Sequence, residues 1–277
     1  MKKPKVQKMA ESRVWKRKIR TRARLVESVY LEMSAKGVDH AAVQEITDRA
    51  DVGLGTFYCY FSSKDEITTC ALDCVIHNLG QRNQMANDAA NIADALAVIS
   101  NSVRLTAIEI LTDPMWRLWL RRTDLMARRM HVGFRPFGIR DLSAAQTAGQ
   151  VIFPDGQIEA AWGYLIWLLA GAITDIVEGV RAAASDMAEA IMRVVGASTA
   201  DAKRLSSLAL PTLPAAMIDF TYTPNKPEQI DLVLEKYARR CRSDSSYPMS
   251  GGRVHPLRRG SVCARCHRRS NNKRRTK

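Results

Sequence analysis

Residues 43–64, VQEITDRADVGLGTFYCYFSSK, constrain the fold more than any other stretch of this chain. Val43, Ile46 and Ala50 recur at helical spacing and can bury one face of a short helix. Asp51-Val52-Gly53 interrupts that pattern. Gly53 accepts backbone angles that a larger residue resists, and Asp51 can hydrogen-bond within its own turn. The pattern resumes at Leu54, where Phe57 and Phe61 mark an inward face and leave Thr56, Cys59 and Tyr60 on the other side. Two short helices joined by so tight a turn make a helix-turn-helix, whose second helix can enter the major groove of DNA. The bland alternative is an ordinary pair of core-forming helices.

Charge favours the DNA reading. The formal net charge of +14 is concentrated at the two ends. Residues 1–24 hold eleven Lys or Arg against one acid, residues 237–277 hold thirteen against one, and the middle is acidic. Basic ends on an acidic body steer a chain toward nucleic acid. Solubilising disorder is the competing explanation, and it suits the C-terminal end better than the N-terminal one.

The run from Ile46 to Ile67, with its Gly55-Thr56-Phe57-Tyr58-Cys59-Tyr60-Phe61-Ser62-Ser63-Lys64 core, resembles the DNA-binding signature of the TetR family of bacterial transcriptional regulators. The likeness spans about 50 residues, from Arg20 to about Cys70; beyond it, only length and helical character agree. The resemblance implies a supporting first helix, a helix-turn-helix pair, and a fourth helix beginning at Lys64. It also implies base- or phosphate-facing roles for Leu54, Gly55, Thr56, Tyr58, Cys59, Tyr60 and Lys64. Two departures from the family pattern matter. Ala41-Ala42 stands where a threonine or serine usually opens the first helix of the pair, and Asp51 and Gly53 stand where glycine and a polar residue are usual.

The expected architecture is all-α: an N-terminal three-helix helix-turn-helix domain joined to a C-terminal helical ligand-binding and dimerisation domain. Residues 1–15 read as a basic arm, 16–80 as the DNA-binding domain, 81–200 as the effector-binding and dimerisation domain, and 201–277 as a weakly structured extension with a basic tail. Within this frame a first helix covers about residues 14–35, with Leu25, Val29 and Met33 in one row and Gly37 as its stop. Trp15, among basic residues, is expected to pack on the domain. Ser63 and Glu66 have capping-box spacing for the fourth helix, which should connect the DNA reader to the rest of the protein, and Gly80 followed by polar residues marks the end of the DNA domain. Further helices are expected over residues 92–111, from Pro114, over 141–149, 157–180 and 185–195, with a loop at 133–138 and a turn at 153–156. Past Ser198 prolines break the pattern, leaving modest helical promise only at 229–237.

The middle domain offers Trp116, Trp119, Met126, Phe134, Phe137, Phe153, Trp162 and Trp167 as candidate walls of an apolar effector pocket, with Arg122 or Arg129 as a polar handle. For any one of these residues, plain core packing is the stronger expectation. The apolar run 160–173, at 14 residues, is too short for a membrane span and suits a buried helix that covers a partner subunit or the intrachain core. No secretory signal follows the basic N-terminus. Six cysteines in 277 residues make no disulfide framework, so a reducing cytoplasm is expected. Cys263, Cys266 and His267, with Cys241 and His255, lack the spacing of a four-ligand zinc site, so neither metal nor cofactor is expected. No Gly-x-Ser-x-Gly elbow or other catalytic arrangement is present, which argues against an enzyme.

These readings converge on a sequence-specific, homodimeric DNA-binding regulator. It would be a repressor that reads an approximately palindromic operator in double-stranded DNA and is released by a small hydrophobic effector. The alternatives are a transcriptional activator, a small-molecule carrier or enzyme on an inert helix-turn-helix scaffold, and a non-specific architectural DNA binder.

Overall fold

The structure, a computed structural model, describes residues 13–37, 40–153, 157–180 and 183–224, and every regular element among them is an α-helix. The basic residues 1–12, the end of the 153–156 turn, the 229–237 segment and the basic tail lie outside the described residues.

The N-terminal domain is built on α1 (Arg13–Lys36). Its row of Leu25, Val26, Val29 and Met33 is buried, while Trp15 near its start is half-buried. Gly37 ends the helix in a left-handed conformation (φ 86°), and its N–H donates to the Met33 carbonyl at 2.8 Å. Helices α2 (Val43–Arg49) and α3 (Leu54–Tyr60) pack against each other, and α2 packs on α1. Ile46, Ala50, Phe57 and Phe61 form the small core they share.

The turn between α2 and α3 corrects one expectation. Gly53 has ordinary extended angles (φ −72°, ψ 152°), and it is Asp51 that enters the left-handed region, at φ 49°. Aspartate tolerates that conformation better than most residues, and here Arg24 secures it. The Arg24 guanidinium donates to the carbonyls of Ala50 and Asp51 and approaches the Asp51 carboxylate at 3.4 Å. The missing hydroxyl at the start of α2 is offset in part. Ala42 has no side-chain cap, but the Glu45 carboxylate accepts its backbone N–H at 3.3 Å.

Helix α4 (Lys64–Ala89) starts where the sequence indicates. Ser63 Oγ accepts the Glu66 N–H at 3.1 Å, and Glu66 reaches back to the Ser62 N–H at 2.6 Å. The helix runs nine residues past Gly80. Gly80 is there for a close approach: a Cβ would sit 2.5 Å from the Phe137 ring. Of the polar residues that follow, Asn83 and Asn87 are buried and hydrogen-bonded to α5 (Ala95–Thr112). Asp94 caps α5 through the N–H groups of Leu96 and Ala97, which sets its start three residues later than the apolar pattern suggests.

Helix α6 (Pro114–Leu120) is capped by Asp113, and α7 (Thr123–Gly133) leads almost directly into α8 (Arg135–Thr147). The expected loop at 133–138 is thus the joint between two helices, with Phe134 alone between them. Pro136 sits in the first turn of α8, where no intrahelical N–H is required. The glycines mark contacts: a Cβ on Gly133 would meet Ile76 at 2.5 Å, and one on Gly138 would run into the Trp162 indole.

Helix α9 (Ile158–Val177) packs on α7, α8, α5 and α10 (Ala184–Val194). Its apolar surface is not covered all round: Trp162, Ile166 and Ile173 are buried, whereas Tyr164, Trp167 and Val177 are exposed. At 20 residues it is longer than its uninterrupted apolar run, and both it and α5 are long and apolar enough to cross a membrane on length and composition. A last helix, α11 (Thr199–Ser206), lies where only weak structure was expected. Ser198 Oγ caps it by accepting the Asp201 N–H at 3.0 Å, and Ala202 and Leu205 are fully buried.

Candidate nucleic-acid interface and a neighbouring pocket

Helix α3 presents two chemically distinct faces. Phe57 and Phe61 point into the core with ring centroids 5.8 Å apart, and the Arg22 guanidinium lies over the Phe61 ring at 5.6 Å. On the opposite side Leu54 and Tyr58 are 44% and 51% exposed, and the space beside Gly55 is empty. Thr56, Cys59, Tyr60 and Lys64 are half-buried, at the margins of that outward face. The structure therefore brings Leu54, Gly55 and Tyr58 together as the protruding ridge. Tyr60 packs partly against the core, a contact that its place opposite the phenylalanines did not suggest.

Ionic contacts tie α2, the partner of α3, to α1. Glu32, almost fully buried, accepts from Arg49 at 2.7 Å and pairs with Lys36 at 3.2 Å. The hydrogen bond from Arg49 holds the Glu32 carboxyl below the usual carboxylate range, against the upward push of burial. Lys36 also bridges to Glu45 at the start of α2. Arg13, Lys16, Arg17 and Arg20 are exposed along the first turns of α1, so that end of the helix is positively charged.

In the body of the protein α4, α5, α8 and α9 surround a pocket with a cavity volume of about 60 Å³, part of it open to solvent. Of the aromatic residues singled out by sequence, Phe134, Phe137 and Trp162 line it. Trp116, Trp119, Met126 and Phe153 are buried elsewhere in the core, and Arg122 is exposed. Trp167 lies on the outer side of α9, beside a groove shared with α10. Arg129 is engaged elsewhere, donating through Nε to Asp73 Oδ1 at 2.7 Å.

The polar lining was not singled out by sequence. Asn83 and Thr106 form one wall, and Arg140 and Asp141 another. Asn83 Nδ2 donates to Thr106 Oγ1 at 2.8 Å and to the Ser102 carbonyl at 3.4 Å. The carbonyl is only an acceptor, which fixes the amide orientation and leaves the buried Asn83 Oδ1 without a donor. Burial pushes the Asp141 carboxyl above its usual range, and Arg140, at 2.7 and 2.8 Å, pulls it back only in part. The signal in the sequence was Asn83 and Asn87, one helical turn apart within a segment otherwise read as a boundary. No cluster of three or more metal-ligating side chains occurs among the described residues, and Cys241, His255, Cys263, Cys266 and His267 lie outside them.

Residues 32–68 match the family of bacterial regulatory proteins, tetR family. The fold is similar to the crystal structure of RolR without ligand, with a TM-score of 0.64 and 24% identity over 70% of this chain and 100% of that one. It is similar too to RolR in complex with resorcinol, with a TM-score of 0.65 and 25% identity over 73% of this chain and 100% of that one. No curated protein sequence matches.

Proposed function

We propose, for a chain that belongs to the TetR family and is a DNA-binding regulator of transcription, that α3 reads one operator and that a small molecule in the pocket releases it. The observation that carries this reading is the Leu54–Gly55–Tyr58 ridge, raised on buried Phe57 and Phe61 inside the matched residues 32–68. Thr56 and Tyr58 lie near base edges, Gly55 lets the backbone approach, and Tyr60 and Lys64 hold phosphates. Leu54 and Cys59 supply apolar contacts beside them.

Two copies make the reader complete. Trp167, Leu168 and Val194 border the groove between α9 and α10, and Tyr164 is exposed on the same helix. So large an apolar surface fits a second copy of this chain, with α9 and α10 of each copy packed together. A two-fold dimer calls for an approximately palindromic operator, and release by effector makes the protein a repressor.

The pocket indicates the effector's chemistry. Its walls are Phe134, Phe137, Trp162, Leu165 and Leu169, and its unmet demand is a donor for Asn83 Oδ1. A small planar molecule bearing a hydroxyl meets both requirements, and RolR, the similar protein above, holds resorcinol. Asp141 offers a second acceptor.

Two substitutions test the ridge. Thr56→Ala is expected to fold normally and to weaken operator binding by about 1–3 kcal/mol, with little change on random DNA. Lys64→Ala is expected to weaken binding to operator and random duplexes alike and to lower the salt slope by about one. Titrations at several salt concentrations, beside thermal unfolding, separate the two roles. If both variants fold and bind every duplex as the unmodified chain does, α3 is not at DNA.

A further inference from the structure

Residues 207–224 leave α11 and return across the molecule with neither helix nor strand. Arg104 Nη1 of α5 fixes their start by donating to the Leu208 carbonyl at 2.7 Å. Helix α4 holds the rest at successive turns. Arg82 Nε donates to the Pro214 carbonyl at 2.6 Å, Asn78 Nδ2 to the Met217 carbonyl at 2.7 Å, and Cys74 Sγ to the Tyr222 carbonyl at 3.7 Å. Since 82, 78 and 74 step backward while 214, 217 and 222 step forward, the segment runs antiparallel to α4, toward the DNA-binding domain.

Its far end touches both functional regions. Phe220 packs on Tyr30 of α1 at 5.4 Å between ring centroids. Tyr222 stacks on His77 of α4 at 3.8 Å, with the rings within 5° of parallel. His77 also packs against Phe137, at 5.4 Å, and Phe137 is a wall of the pocket. Asp219 shapes the turn between these contacts, accepting from the N–H and hydroxyl of Thr221. An unbroken row of aromatic contacts thus runs from Phe137 through His77 and Tyr222 to the segment whose Phe220 rests on α1.

We propose that residues 207–224 form an internal strap that carries the state of the pocket to the DNA reader. The proposal rests on the effector reading of the pocket given above. The strap has the properties of a two-position element rather than of passive filler. Asn78 and Arg82 are buried, and undocking leaves the Asn78 amide and the Arg82 Nε without the carbonyls they hold, so intermediate positions are disfavoured. Pro211 and Pro214 restrict the extended backbone and reduce the entropy lost on docking. A molecule that displaces Phe137 disturbs His77 and with it the Tyr222 stack. A coupling of this kind requires the pocket and the DNA domain to bias the same equilibrium.

Gly80 supplies a test that needs no ligand. A Cβ there would lie 2.5 Å from Phe137, so Gly80→Ala displaces that ring from behind. In the full chain, Gly80→Ala is expected to weaken binding to a duplex selected by the unmodified protein by about tenfold, a typical coupling. In a Phe220→Ala/Tyr222→Ala background the same glycine substitution is expected to change affinity less than about twofold, because coupled sites are non-additive. Equal losses in both backgrounds, or no loss in either, overturn the strap.

Hydrogen exchange gives an arm independent of DNA and of Gly80→Ala folding. Tyr222→Ala is expected to speed exchange in α1–α3 by about threefold or more while α10 is unchanged, and Tyr222→Phe to restore it. Unchanged exchange in α1–α3 also overturns the strap. This arm stands even for a protein that selects no DNA, so failure of the strap and failure of the DNA reading are told apart.

Discussion

Replacing Phe61 by alanine is expected to lower the unfolding free energy by about 3–5 kcal/mol and to remove DNA binding with it. The size follows from position. Phe61 is 1% exposed, directly follows α3, and donates its N–H to the Phe57 carbonyl at 2.9 Å. Its ring contacts Phe57 and lies beneath the Arg22 guanidinium, so truncation removes core volume, an aromatic contact and a cation–π contact together. The helices it supports are seven residues each and too short to persist without that core. Chemical denaturation and a DNA titration at fixed salt check the result. A stability loss below about 1 kcal/mol would mean that the site collapses around the cavity and that Phe61 is not the support described here.

Arg129→Ala is expected to cost a similar amount, about 3–5 kcal/mol at neutral pH, for an electrostatic reason. Arg129 on α7 donates to Asp73 on α4 through both Nε and Nη2, and Asp73 is nearly fully buried. Burial pushes the Asp73 carboxyl up, and the guanidinium pulls it back only in part. Removing the guanidinium therefore raises it further. A carboxyl whose folded pKa lies above its unfolded value contributes stability at low pH and loses it as pH rises through the folded pKa. The variant's deficit is thus largest above that pKa, where a charged carboxylate stays buried and unpaired, and shrinks as acid protonates it. Adding Asp73→Asn should remove most of this pH dependence. Denaturation at a series of pH values measures both effects, and a deficit independent of pH would point to lost packing instead.

The helix-turn-helix was legible because residues 43–64 fix their own local structure: apolar spacing sets two short helices and Phe57 and Phe61 orient the second. The conformational strain of the turn was assigned to the wrong residue, since glycine permits unusual angles without requiring them. Asp51 takes those angles because Arg24, twenty-seven residues earlier, holds it. The α7–α8 joint was misread, and the packing of α4 and of residues 207–224 stayed hidden, for one shared reason. Glycine, proline and buried polar residues ordinarily punctuate structure, and here each is matched to a distant partner that periodicity cannot reveal. Gly80 meets Phe137, Asn83 meets Thr106, and the Pro214 carbonyl meets Arg82. The pocket shows the same limit. Composition located aromatic residues in the right domain, but whether Trp116 fills the core or Trp162 faces a cavity depends on how four helices are placed.

Selection of duplexes from a random-sequence library by the full-length chain, followed by competition against non-selected DNA at fixed salt, tests the central claim most directly. The account predicts one approximately palindromic site whose half-sites lie one helical turn or a multiple apart. It also predicts affinity at least about a thousandfold above random duplex, with that preference reduced in Thr56→Ala. Retention of all sequences alike, with affinity governed by salt alone, would contradict it and leave a non-specific binder of phosphate charge.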